Sequence, residues 1–153
     1  MLSTYVAPTT TIVSKAIVAG MSNVVYATLK TIYDKLQTSA DDTNIQSALD
    51  DMFIRTDVEL LAALLADMTD ACISNTSVKV CMNHLHETLQ QLNTQLVALD
   101  KLVHSTGWST MPWKSTSKRA GDTATVLACV VNAKKTLDHH FLRLVQLMAI
   151  VIT

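Results

Sequence analysis

The chain has 153 residues, a formal net charge of −1, and an apolar content of 49 %. That length supports one domain with a sizeable core and is too short for two. With three glycines, two prolines and few charges the composition excludes disorder, and the balanced charge excludes a global attraction to nucleic acid or anionic lipid.

Residues 1–10 read as an extended amino terminus without the charged start of a secretory signal. A first helix is expected from about Thr11 to Thr38, with Val13, Ile17, Met21, Val24, Val25, Leu29, Ile32 and Leu36 as its buried stripe. Gly20 and the β-branched residues weaken it, so packing must hold it in place. Ile45, Leu49, Met52 and Phe53 suit a short second helix capped by Asp41 or Asp42. Thr56 and Glu59 then form a T-x-x-E capping box ahead of an apolar run. The helix it opens should reach Ser74, with Val58, Leu61, Leu65, Met68 and Cys72 inward and Leu60 and Leu64 widening that face.

Asn75 to Ser77 breaks the pattern and caps a long predicted helix, residues 76–104. Within it Leu85, Leu89, Leu92, Leu96, Leu99 and Val103 recur in alternating steps of four and three. That is one apolar seam along a helix about 40 Å long, which needs partners over its whole length. Residues 105–121 read as a loop because they combine Gly107, Pro112 and Gly121 with many hydroxyls. Asp122 is the expected cap of a last helix, whose stripe is Val126 or Leu127, Val130, Ala133, Leu137, Phe141, Leu144, Met148 and Val151. The fold class is therefore all-α: a single up-and-down four-helix bundle with one extra short helix, spanning residues 1–153.

No catalytic group emerges. The serines sit in no nucleophile elbow, no glycine-rich phosphate cradle is present, and the pairs Asp41–Asp42 and Asp50–Asp51 read as caps or solvated charges. Antiparallel pairing about the loop would place His139 and His140 level with His86 and Glu87. His84 and His86 point to different sides of a helix, however, so no metal site is assigned, and no cofactor is implied. Cys72, Cys81 and Cys129 match no zinc or redox spacing and read as reduced, buried, intracellular thiols. Eight carboxylates between Asp41 and Asp70 face only Arg55, while cations crowd the last third; solvated faces of opposite sign are the expectation. The most function-like feature is the loop carrying Trp108 and Trp113 beside Lys114, Lys118 and Arg119, a combination suited to a partner surface. The tail from Phe141 is apolar on more than one face and too short to span a bilayer; a wide groove of the bundle, a second copy through self-association, or a membrane after rearrangement are the alternatives for covering it.

The order Leu102, His104, Trp108, Trp113-Lys114, then Lys135, Leu137-Asp138, Leu144 and Leu147 resembles small all-α proteins of large double-stranded DNA viruses. Leu29, Ile32, Tyr33 and Leu36, followed by Ala48, Leu49, Ile54 and Leu60-Leu61, fit their first half. The chain departs from them at Lys114, where an arginine is usual after the tryptophan, and in the last helix, where His140 stands near the usual arginine. The resemblance implies an intracellular, non-enzymatic viral protein, in host cytoplasm or virion; the expectation is a structural or interaction protein, a virion component or a binder of a viral or host protein. In length and helix order the chain is also similar to the four-helix domains of fungal HeLo proteins and of the mixed-lineage-kinase-like necroptosis effector. That likeness implies the alternative, a membrane-docking or membrane-permeabilising bundle. Nothing points to nucleic acid.

Overall fold

The computed structural model describes residues 14–36, 43–105 and 116–152, with side chains described over 14–36, 45–103 and 121–151. All six elements there are helices: α1 Lys15–Leu36, α2 Thr43–Met52, α3 Ile54–Asp67, α4 Asp70–Ser74, α5 Thr76–Ser105 and α6 Thr116–Ile152. No strand occurs among the described residues, and the fold is all-α.

The seam of α5 is the centre of the core. Leu85, Leu89, Leu92, Leu96 and Leu99 are fully buried and Val103 nearly so, as the spacing predicts. Against them lie Val130, Ala133, Leu137, Leu144 and Met148 of α6 and Val25, Leu29, Ile32 and Leu36 of α1. Burying an aliphatic side chain of this size is worth about 1.5–3 kcal/mol, so this three-helix seam dominates the driving force.

Side-chain pairs fix the helix directions. Thr28 donates to Asn93 at 2.7 Å and Lys35 to Asp100 at 2.7 Å, both at a separation of 65 residues, so α1 and α5 run parallel and side by side. Tyr33 meets Asp50, and Lys15 donates to the Met68 carbonyl at 3.4 Å, so α1 is antiparallel to α2 and α3. The α5–α6 hairpin is antiparallel, with Cys81 against His140. Around the bundle the neighbours run α1, α3, α6, α5. The chain thus crosses the bundle's end diagonally between α3 and α5, by way of α4.

Several local expectations are corrected. In α1 the buried stripe is Val18, Ser22, Val25, Leu29, Ile32 and Leu36, while Ile17 and Val24 are exposed. Ser22 occupies a core position because its hydroxyl donates to the Val18 carbonyl at 3.1 Å, which removes most of the burial cost. The T-x-x-E sequence caps nothing: α3 begins at Ile54, inside which Thr56 already lies, and Glu59 pairs with Arg55 instead. Burial of Ile54 outweighs a cap worth about 1 kcal/mol. The helix expected to run on to Ser74 is broken at Met68, whose backbone is extended, because Thr69 accepts the Cys72 amide and starts α4. Met68 itself stays buried. Asn75 does cap α5, accepting the Val78 amide at 3.1 Å.

The last helix begins at Thr116, so residues 116–121 of the expected loop are helical and Asp122 is not its cap. A lone helical glycine costs about 1 kcal/mol, which one extra turn of a long helix offsets, and Gly121 stands in open space. Phe53, placed with the core by its spacing, is 65 % exposed, and Leu60 is 52 % exposed.

Candidate functional site

Phe53 joins α2 to α3. Its φ of 53° puts an aromatic residue in the left-handed region, the one positive φ found at a non-glycine residue among those described. Such a conformation costs roughly 1–2 kcal/mol for a residue with a Cβ. The cost is tolerated because the corner lets Leu49 and Ile54 both reach the core, where each is 1 % exposed. The consequence is an exposed phenyl ring at a sharp bend.

A cleft opens on each side of that ring. One, about 500 Å³, lies between α1 and the α2–α3 corner, with Tyr26, Tyr33, Asp50 and Arg55 in its wall. Tyr33 donates to Asp50 at 2.5 Å, and burial, reinforced by that bond and the carboxylate's charge, pushes the phenol above its ordinary range. The Arg55 guanidinium stacks over the Tyr26 ring at 5.3 Å. The other cleft, about 460 Å³, runs toward α6 and is walled by Asp51, Thr56, Lys134, Lys135 and Asp138.

Lys134 is the notable charge there. It is 5 % exposed, and its ammonium is shared between Asp57 of α3 and Asp138 of α6, the latter at 2.5 Å. Burial raises the Asp138 carboxyl, Lys134 draws it back down, and Asp57 pushes it up. The expectation of separate solvated faces of opposite sign is corrected at this point, because Asp57 and Lys134 tie the two regions together. All three groups satisfy one another, which makes the cluster a clamp between helices.

A third cleft, about 530 Å³, lies between α5 and α6. His84, His139, His140 and Arg143 supply its polar wall, Thr76 and Ser77 close one end, and Val80 and Leu147 are apolar. The His84 and His140 rings are 5.1 Å apart and tilted by 59°, and those of His139 and His140 are 5.5 Å apart. Burial holds His140 below its ordinary value, helped by the charges of His84, His139 and Arg143. Cys81 donates its thiol to the His140 carbonyl at 3.3 Å and is pushed up by burial. The register expected from a loop over 105–121 is therefore corrected: His140 faces His84, not His86. Starting α6 at Thr116 shifts the hairpin's pivot and the pairing with it. His86 instead has a buried Nδ1 without a hydrogen-bond partner. Among the described residues no three His, Cys, Asp or Glu side chains converge on a point where a metal could sit.

Cys72 and Cys81 are buried free thiols, and Cys129 is half-buried. Trp108, Trp113 and Lys114 lie outside the described residues. Lys118 and Arg119 fall on the first turns of α6 rather than on a loop, and their side chains also lie outside what is described. Phe53 escapes a sequence reading because its spacing from Leu49 and Met52 fits a helical stripe, and only the left-handed corner turns it outward. No family model, curated protein or solved structure matches the chain.

Proposed function

We propose that this chain is a non-enzymatic binding module that takes a protein partner on the corner at Phe53. The observation that carries the reading is an aromatic ring 65 % exposed on a left-handed backbone. The burial of Leu49 and Ile54 on either side holds that strained corner and keeps the ring outward, and aromatic residues ringed by polar groups are frequent anchors of protein interfaces. Arg55 and Lys135 on one hand, and Asp50 and Asp51 on the other, supply a mixed polar rim. The segment with Trp108, Trp113 and Lys114, leading into Lys118 and Arg119, is proposed as a second contact. An intracellular role in host cytoplasm or virion, as in the viral bundles that the sequence resembles, is the proposed setting.

The test is a photoreactive phenylalanine analogue at position 53, irradiated in extract of the source cells, beside the same probe at exposed Thr94. A discrete adduct at position 53, competed away by unlabelled protein, is the expected result. Adducts indistinguishable from those at Thr94 would sink the reading.

A second reading, membrane docking, is favoured by Leu142, Val145 and Ile150, which are exposed along α6. No helix among the described residues is long and apolar enough to cross a membrane, so this reading requires surface attachment or rearrangement. Self-association would cover the same side chains, and light scattering distinguishes it.

A further inference from the structure

The α5–α6 cleft has a composition that the binding corner does not explain. Three imidazoles and a guanidinium line one volume of about 530 Å³, and no carboxylate lines it. The charged groups around it come from both helices. From α5, Glu87 reaches His140 as the weakest influence on that ring, and from α6 come His139 and Arg143. Neither Asp70 nor Cys72 of α4, which packs on both helices, lines the cleft. Among the described residues Arg143 forms no ion pair. An exposed guanidinium in no ion pair, facing three imidazoles across one cleft with no carboxylate in its wall, is an arrangement an anion would stabilise.

We propose that this cleft binds an organic phosphate monoester, with the phosphoryl group on Arg143, His84 and His140 and the organic body on Val80 and Leu147. Arg143 supplies planar paired donors that match a phosphoryl edge. Each imidazole becomes a double donor once protonated, and Thr76 and Ser77 offer hydroxyls at the end of the cleft. Val80 is 49 % exposed, which leaves apolar surface for an organic group to cover. Burial first, and then the charges of His84, His139 and Arg143, disfavour a proton on His140, against a weaker pull from Glu87. A bound dianion opposes that preference, so binding and proton uptake by the histidines must be coupled.

The experiment titrates the full chain with phenyl phosphate, inorganic phosphate or sodium chloride at matched ionic strength, reading the histidine side-chain resonances. Saturable shifts of His84 and His140 are expected, with phenyl phosphate binding more tightly than inorganic phosphate. Because binding takes up protons, affinity should fall as pH rises between about 7 and 8.5, where the ester stays dianionic. Arg143→Gln, at an exposed position, should weaken binding by roughly tenfold, the effect of one charge-assisted contact. His84→Gln should weaken it as well, whereas Lys101→Gln on a distant exposed position should not. Circular dichroism establishes that each variant is folded. Shifts that chloride reproduces, or an Arg143→Gln variant that binds as well as the parent, would overturn the site. Equal affinity for inorganic and phenyl phosphate would overturn the assignment to an organic ester.

Discussion

The ammonium of Lys134 reaches from the last long helix to the carboxylate of Asp57, 77 residues earlier in the chain. It does so from a position 5 % exposed, where an unpaired charge would be costly. Asp138, one turn further along the same helix, completes the pairing. The contact joins the acidic stretch of the sequence to its basic third and holds α3 on α6.

Removing Lys134 should therefore destabilise the fold more than removing either carboxylate. Lys134→Ala leaves two carboxylates facing each other, at a cost of roughly 2–4 kcal/mol, somewhat below that of a fully buried pair because Asp138 remains half-exposed. Asp138→Asn should cost less than about 1 kcal/mol. Urea denaturation of the two variants checks the order, and equal midpoints would remove the clamp from the account.

The core register makes a second prediction. Leu92→Ala and Leu96→Ala should each cost about 2–5 kcal/mol. Val25→Ala should cost about 1–2 kcal/mol on the scale of buried methyl groups, while exposed Ile17→Ala changes stability by less than about 0.5 kcal/mol. The last pair separates the observed stripe of α1 from the one its apolar residues suggest. Thermal melts in which Ile17→Ala matches Val25→Ala would reject the observed stripe.

Phe53→Gly should raise stability while abolishing partner capture. Glycine adopts φ 53° without strain, and little packing is lost from a ring this exposed, so a gain of roughly 0.5–1 kcal/mol is expected. A variant that is more stable and still captures the partner would refute the role given to the ring. A variant that is less stable would refute the strain.

Acid should weaken the α5–α6 contact. His140 has a folded pKa below its ordinary 6.5, so the unfolded chain binds the extra proton. Stability from this group is present above about pH 6.5 and is lost as pH falls from there toward the folded value. His140→Gln should flatten that part of the stability profile. An unchanged slope in chemical denaturation between about pH 7.5 and 5.5 would assign the effect elsewhere.

The two functional readings part over lipid. A membrane-docking bundle would draw Lys118 and Arg119 to anionic headgroups, at about 1 kcal/mol for each basic residue near the surface. The protein-binding reading predicts no leakage from anionic liposomes and no shift of tryptophan emission. It predicts weaker partner capture on Trp113→Ala or Lys114→Glu. Salt-sensitive leakage that vanishes when Lys118 and Arg119 are reversed to Glu would decide for the membrane.

What the sequence makes legible follows from how each signal arises. The α5 seam can be read because six aliphatic residues at one spacing leave no second face to choose. The stripe of α1 cannot, because Ile17, Val24 and Val25 offer overlapping faces and the true one contains Ser22, whose hydroxyl is satisfied by its own helix. The start of α3 is misplaced by sequence because a local capping motif competes with the burial of Ile54, a tertiary effect. The clefts are illegible for a related reason. His84, His140 and Arg143 come together only through the register of two helices, and that register moves when α6 begins at Thr116 instead of Asp122.

Because α1 lies parallel to α5 at a separation of 65 residues, its main packing surface does not exist until the ribosome has made Asn93 and Asp100. The early chain can close only the local α1–α2–α3 layer, through contacts such as Tyr33 with Asp50. Part of the apolar stripe of α1 must then wait, exposed, for a helix several connections away. Folding should proceed by late docking of the α5–α6 hairpin onto that preformed layer, a step limited by loop closure rather than by helix growth. Nascent chains released before residue 100 would present Val25, Leu29 and Ile32 to solvent, and they are the species most in need of a chaperone.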